Sequence, residues 1–264
     1  MPSPSSTVSF SQLGLDRRQI NGHLGGARNT TMLGLIGAPR GSYDQTCRSP
    51  TNSRIAQMMV TADFGPFRAT GLKPAVETLH QIMAQIKRDH RDVHDRLSSA
   101  GMLCCRKVRG SATAISNHSW GTAIDLKIDG KLDRRGDGRT QRGLLEIYKA
   151  FNDHGFYWGA AFRTEDAMHF EASEQLIRQW AAEGRFGSVT APEDGVLNLG
   201  DRGPEVEDLQ QALNLIIALD LDEDGIFGND TRAAVMEFQR AKGLTVDGIV
   251  GKNTAKAIAA ALRR

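Results

Sequence analysis

The chain has little of what usually identifies a protein at first reading. Only three cysteines occur in 264 residues, Cys47 and the adjacent Cys104 and Cys105. An odd count without regular spacing is neither a disulfide framework nor a CxxC metal knuckle, so buried free thiols are expected. Aromatic residues make up 6% and the formal net charge is +2. With no aromatic–basic ladder, a nucleic-acid partner is not expected. Long apolar runs are also missing: "MLGLIGAP" at 32–39 is far too short to span a bilayer. The start, "MPSPSSTVSFSQLGLDRRQ", has no basic region followed by an apolar stretch. Synthesis in the cytoplasm without a signal peptide is therefore expected, with another route to any outside target and no membrane insertion.

What is present reads as an ordinary globular protein, 40% hydrophobic and 24% charged, long enough for two domains. Its charge is unevenly spread. From Leu197 onward there are 8 Lys/Arg against 11 Asp/Glu, leaving 25 against 20 in the rest of the 33 and 31. The mildly basic first part suits an anionic polymer or peptide carboxylates. Residues 1–31, rich in Ser, Gly and Asn, are expected to be irregular. Leu79, Ile82, Met83 and Ile86 fall at helical spacing after Pro74, a residue tolerated in the first turn. "GLLEIYKAFNDHG" predicts a second helix ended by Gly155, and "GRFGSVTAPEDGV" at 184–196 predicts a linker. The expected division is therefore 1–183, a linker at 184–196, and 197–264.

Beyond the linker the chain repeats itself. "DGIFGNDT" at 224–231 returns as "DGIVGKNT" at 247–254, each followed by an amphipathic stretch. With "PEVEDLQQALNLIIAL" before the first echo, this predicts a compact unit of three helices, whose facing stripes are Val206, Leu209, Leu213 and Ile216, then Val235 and Phe238, then Ile258 and Leu262. Asp220, Asp222, Asp224 and Gly225 match the first half of an EF-hand loop, but its twelfth position is Thr231 instead of Glu. A turn is the expectation, not a calcium site.

Two histidine groups compete for a metal. His90 and His94 in "HRDVH" would stand one helical turn apart, but Arg91 occupies the place where HExxH proteases need Glu, and Lys87, Arg88 and Arg96 crowd the segment. A solvated helix face is expected there. The other group begins in "SNHSWGTAID", 116–125. In "TAIDLKI" Ile124 and Leu126 alternate with Asp125, the pattern of a strand with a carboxylate on its second face. If "AMHFE" is also a strand, His169 and Glu171 share the face opposite Met168 and Phe170. Neighbouring strands would then project Asp125 and His169 into one cleft, with His118 delivered by the turn at Gly121. Two imidazoles and a carboxylate leave the fourth position of tetrahedral zinc open for water. A base for that water is Asp166, with Glu165 as its rival. Asp125 paired with Arg106 or Arg109 is the plainer alternative. Trp120, Tyr157 and Trp158 would either wall the cleft or fill the core.

"SNHSWGTAID" and "DAMHFE", in that order, resemble the SxHxxGxAxD and second motifs of the M15 zinc peptidases, the D-Ala-D-Ala carboxypeptidase and L-alanyl-D-glutamate peptidase group; "GMLCCRKVRGS" and "GFYWGAAF" are similar to its endolysin-type members. The likeness covers roughly residues 32–175. It implies an α+β, Hedgehog-like domain with a small antiparallel sheet flanked by helices. It also implies one zinc ion held by His118, Asp125 and His169, Asp166 as general base, and Arg109 and Ser116 on the substrate. "LGDRGPEVEDLQQAL" and the two DGIxGxxT echoes resemble the PG_binding_1 peptidoglycan-binding domain. Together the likenesses imply a zinc peptidase that binds peptidoglycan and cuts its stem peptides, with L-alanyl-D-glutamate cleavage favoured over D-alanyl-D-alanine trimming; a monomer is expected. A wall-binding protein with a merely structural zinc is the rival from another class.

Overall fold

A computed structural model describes residues 2–186 and 196–262. Most of the expected linker, 187–195, lies outside the described residues. The fold is α+β, and the chain divides into two compact units. The first comprises Met1–Ala27, Met59–Cys104 and Ser116–Glu183, and the second Arg28–Met58, Cys105–Ile115 and Gly184–Arg264.

The first unit is built on an antiparallel sheet whose strands follow the order Leu97–Gly101, Ala123–Ile128, His169–Ala172, Phe156–Trp158, with Lys131–Leu132 also paired to the second of these. The predicted alternation is realised in the strand Ala123–Ile128: Ile124, Leu126 and Ile128 are fully buried, while Asp125 is only partly so. Each such side chain contributes about 1.5–3 kcal/mol by leaving water, which fixes the strand's register and hence the face that Asp125 occupies. In that register Asp125 stands opposite His169 and Ile124 opposite Phe170.

The helix Arg142–Asp153 buries Leu144, Ile147 and Phe151, and Phe151 stacks on Phe170 of the sheet with ring centroids 4.0 Å apart. Trp120 and Trp158 are core residues. Both are fully buried, and Trp158 donates its indole N–H to the Ala167 carbonyl at 2.7 Å. The helix Lys73–Asp89 buries Leu79, Ile82, Met83 and Ile86 as expected.

That helix does not continue through "HRDVH". His90 leaves helical geometry at φ −138°, ψ 54°, and a separate turn, Arg91–His94, follows. His94 is buried, with Nδ1 2.8 Å from Asp95 Oδ1, so the solvated helix face expected there is corrected to a broken helix with one packed histidine. The N-terminal stretch is not wholly irregular either: Thr7–Ser9 forms a strand paired with Arg139–Gln141.

The second unit contains the three predicted helices, Pro204–Ile217, Asn229–Ala241 and Lys252–Ala261. Their core joins Val206, Leu209, Leu213, Val235, Phe238 and Ile258 with Phe227. The sequence echo has a structural cause. The Gln210 side-chain amide donates to Asp224 Oδ1, the Ile226 carbonyl and Thr231 Oγ1 at 2.9, 3.1 and 3.1 Å, and its oxygen accepts from the Gly225 N–H at 2.9 Å. Gln239 repeats the pattern with Asp247, Ile249, Thr254 and Gly248 at 2.7, 2.9, 3.1 and 2.9 Å. Asp224 thus works as part of a turn clamp, its Oδ1 also accepting from the Ile226 N–H.

Also in this unit, the helix Ser53–Gln57 begins at Asn52, whose side chain caps the Ile55 N–H at 3.0 Å. Its first turn meets the acidic side of Pro204–Ile217. The Ser53 N–H and hydroxyl donate to Glu207 at 3.0 and 2.8 Å, and Arg54 pairs with Asp208 at 3.4 Å.

The cysteine expectation needs correction. Cys47 and Cys104 are disulfide-bonded, and only Cys105 keeps a buried thiol, which burial pushes up to about 12. Pairing depends on the tertiary approach of two Cα atoms, which sequence spacing does not encode.

Candidate metal centre and active site

The loop before the central strand delivers His118. Asn117–Trp120 forms one 3-10 turn and Gly121 then adopts φ +63°, the left-handed region that favours glycine. A Cβ at Gly121 would lie 2.8 Å from the Leu72 nitrogen and 2.9 Å from Gly71 Cα, so the close approach excludes a side chain as well. The Leu72 N–H uses that approach to donate to the Gly121 carbonyl at 2.9 Å.

His118, Asp125 and His169 converge. His118 Nε2 is 3.2 Å from Asp125 Oδ1 and 3.2 Å from His169 Nδ1, and His169 Nδ1 is 3.0 Å from Asp125 Oδ1. The outer ring nitrogens are tied separately. His118 Nδ1 lies 3.0 Å from the Met102 carbonyl, and His169 Nε2 lies 2.9 Å from Glu171 Oε2. A carbonyl and a carboxylate can only accept, so each imidazole holds a proton on its outer nitrogen and turns its inner one to the centre.

Burial opposes ionisation of Asp125, but hydrogen bonds and charge from the two imidazoles outweigh it and hold the group well below the usual carboxylate range. Burial likewise opposes a charge on His169, yet Asp125 and Glu171 push it up to about 10. Both shifts express one fact: the centre attracts positive charge, from a proton if not from a metal.

The donor set fits zinc. With bonds of about 2.0–2.1 Å, tetrahedral ligand atoms stand about 3.3 Å apart. The three inner atoms are 3.0–3.2 Å apart. Carboxylate and carbonyl groups behind the ligating imidazoles are the arrangement that fixes ring orientation at metal sites.

Asp166 sits within electrostatic reach of this trio. Burial raises its pKa, with His169, Asp125, Arg135 and His118 all acting on it. Its Oδ2 is 3.4 Å from Arg135 Nε, while its buried Oδ1 has no hydrogen-bond partner among the described residues. The backbone that holds it is tight: its N–H donates to the Gly159 carbonyl at 3.0 Å, and a Cβ on Gly159 would come within 2.7 Å of the Asp166 carbonyl oxygen. Glu165, the rival base, is committed elsewhere, accepting from the Gly136 and Gly138 N–H groups at 2.9 and 2.8 Å.

Ser116 is buried at the start of the 3-10 turn, its carbonyl accepting from the Ser119 N–H at 2.8 Å. Arg109 is exposed at a turn of the second unit. Three neighbours of the site were not assigned from sequence: Glu171 behind His169, Arg135 beside Asp166, and Phe162, whose ring centroid is 5.6 Å from that of His169 and which stacks on Tyr157. Glu171 had a signal, since alternation puts it on the face of His169. Arg135 and Phe162 had none.

Residues 109–172, the stretch that spans His118, Asp125, Asp166 and His169, match the M15 peptidase family model described as "D-alanyl-D-alanine carboxypeptidase". Residues 202–258 match the model described as "Putative peptidoglycan binding domain". The chain thus matches an M15 peptidase model and a peptidoglycan-binding model over two separate segments. The second match takes in both glutamine clamps and most of the three-helix core.

A similar curated protein, "Autolytic lysozyme" of Clostridium acetobutylicum, is 44% identical over 63 residues. The match covers 24% of this chain and 19% of that protein, so the chain spans under a fifth of this relative's length. A similar solved structure is a peptidoglycan-binding protein from Clostridioides difficile in complex with glutamine hydroxamate. It is 35% identical, with 25% of this chain and 41% of that chain covered and a TM-score of 0.24. No helix among the described residues is long and apolar enough to cross a membrane.

Proposed function

We propose that the protein is a zinc-dependent peptidase of bacterial cell walls, of the endolysin type, that hydrolyses an amide bond of peptidoglycan stem peptides. The observation that carries this reading is the convergence of His118 Nε2, His169 Nδ1 and Asp125 Oδ1, each imidazole anchored from behind. A zinc ion held there supplies Lewis acidity, which brings the pKa of water down to about 7 and polarises a carbonyl.

The chain's own residues do the rest. Asp166, with its buried and unpartnered Oδ1, takes the proton of the attacking water and returns it to the leaving amine. Its raised pKa suits it to holding that proton between the two steps. Ser116 and Arg109 are proposed to hold substrate carbonyl or carboxylate groups, a guanidinium being able to grip a carboxylate bidentately. A peptidase body over 1–183 and a wall-binding domain over 197–264 would divide the labour, tethering raising the effective concentration of scissile bonds.

Cleavage between L-alanine and D-glutamate suits lysis best, because it severs stem peptide from glycan. The description of the matched M15 model favours a second reading, release of terminal D-alanine. Incubating the protein and Asp166→Ala with purified peptidoglycan, with zinc or with chelator, and identifying new termini by mass spectrometry tests both. New amino-terminal D-glutamate selects the endopeptidase and free D-alanine the carboxypeptidase. No new termini from the zinc-supplied wild type would sink the peptidase reading and leave the wall-binding rival.

A further inference from the structure

A second group of acids lies in the loop that Glu165 holds. Asp133, Asp137 and Glu165 each bring one carboxylate oxygen within 4.8 Å of the others. Asp133 is only 5% exposed; its Oδ2 accepts from the Gln141 N–H at 2.5 Å, and its buried Oδ1 has no hydrogen-bond partner among the described residues. A buried carboxylate oxygen without a donor is unfavourable when charged, so the position favours a cationic partner. Glu165 is 3% exposed and accepts from two backbone amides, and Asp137, at the surface, accepts from the Arg139 N–H at 3.0 Å.

Three arginines of this neighbourhood engage other groups. Arg135 reaches Asp166, and Arg139 donates to Thr7 Oγ1 and to the Thr7 carbonyl at 3.0 and 3.1 Å. Arg17 adds some positive potential at Glu165, but its guanidinium donates to the Ala160 carbonyl at 3.0 Å. In consequence burial, reinforced by the charges of Asp137 and Glu165, pushes Asp133 up to about 7.

We propose that Asp133, Asp137 and Glu165 form a second cation site, separate from the His118–Asp125–His169 centre, that takes a hard divalent ion of the calcium class. The donor chemistry separates the two. Three carboxylates without nitrogen or sulfur suit a hard ion, whereas two imidazoles and a carboxylate suit zinc. The spacing agrees: with Ca–O bonds of about 2.3–2.6 Å, oxygens on one ion stand at most about 5 Å apart. Surface-exposed Asp137 leaves room for water to complete the shell. A cation here fastens Asp133 and Asp137 of the loop to Glu165, the residue next to Asp166.

The test is a calorimetric titration of the zinc-loaded full chain with calcium chloride, alongside Asp133→Asn, Asp137→Asn and, as control for the acidic run in the other unit, Asp222→Asn. Wild type and Asp222→Asn should bind calcium at one site and melt at a higher temperature with it. Asp133→Asn and Asp137→Asn should bind about tenfold more weakly or not at all. Asp137 is exposed, so its variant reports on the site without disturbing the core. No calcium binding by wild type up to millimolar concentrations, or full binding retained by both loop variants, overturns the proposal. Calcium is read directly, so that result would leave the peptidase reading intact.

Discussion

His169 turns its Nε2 to Glu171, 2.9 Å away and two residues further along the same strand, while its Nδ1 faces Asp125 and His118. Glu171 is buried and stands behind the ring as an orienting group. Its replacement should therefore loosen the ligand without removing it. We expect Glu171→Ala to lower zinc affinity about 10–100-fold and Glu171→Gln, which still accepts a hydrogen bond, to lower it less. Competition with a chromophoric chelator measures both, and equal affinity in all three proteins would rule out the orienting role.

The same ring makes metal binding pH-dependent. Without metal, Asp125 and Glu171 keep His169 protonated up to about pH 10. Zinc must then displace a proton, and affinity should rise with pH by about tenfold per unit through the neutral range. Calorimetry in buffers of different ionisation enthalpy should show about one proton released per zinc; no release would contradict the assignment of Nδ1 to the centre.

As the proposed base, Asp166, with Arg135 beside it, should set the acid side of the activity profile. A base works only when deprotonated, and burial raises the Asp166 pKa, so activity should climb with pH through a value above the ordinary carboxylate range. Arg135 acts in the opposite direction, favouring the charged form. Arg135→Ala should therefore move that limb to higher pH, while Asp166→Asn should cut the rate by about 10²–10⁴ with zinc content unchanged. Initial rates across pH on a soluble stem peptide check both.

The glutamine clamps carry stability of the three-helix fold. Gln239 is 1% exposed and Gln210 2%, and each satisfies a whole turn. Truncating either to Ala leaves buried groups unpaired, and each variant should lose about 1–3 kcal/mol in chemical denaturation. A change near zero at both positions would mean that water replaces the clamp at no cost.

Much of the candidate site's geometry was legible in the residues, because strand alternation and a glycine turn are local patterns. Period-two alternation placed Asp125 and His169 on one face, and Gly121 marked the turn that brings His118 back. Contacts across long stretches of chain were another matter. Nothing in the spacing of Cys47 and Cys104 announced a disulfide, and nothing marked Arg135 as the neighbour of Asp166. His90 looked like a residue inside a helix because periodicity does not register a single backbone break. The clamps were hidden for a further reason. Gln210 and Gln239 precede their turns by different numbers of residues, so the echo shows the turns but not what fastens them.

Glu165 and Asp166 are consecutive, yet one grips the loop amides of Gly136 and Gly138 while the other meets Arg135 of that same loop. The loop is thus hitched at two points to one dipeptide. It cannot drift without turning the peptide unit from which the proposed base projects, so length changes between Asp133 and Gly138 should register as slower turnover even though the proposed zinc ligands stay in place. In that respect the loop acts as a tuning peg for the base, and variation there offers a way to adjust rate separately from metal affinity.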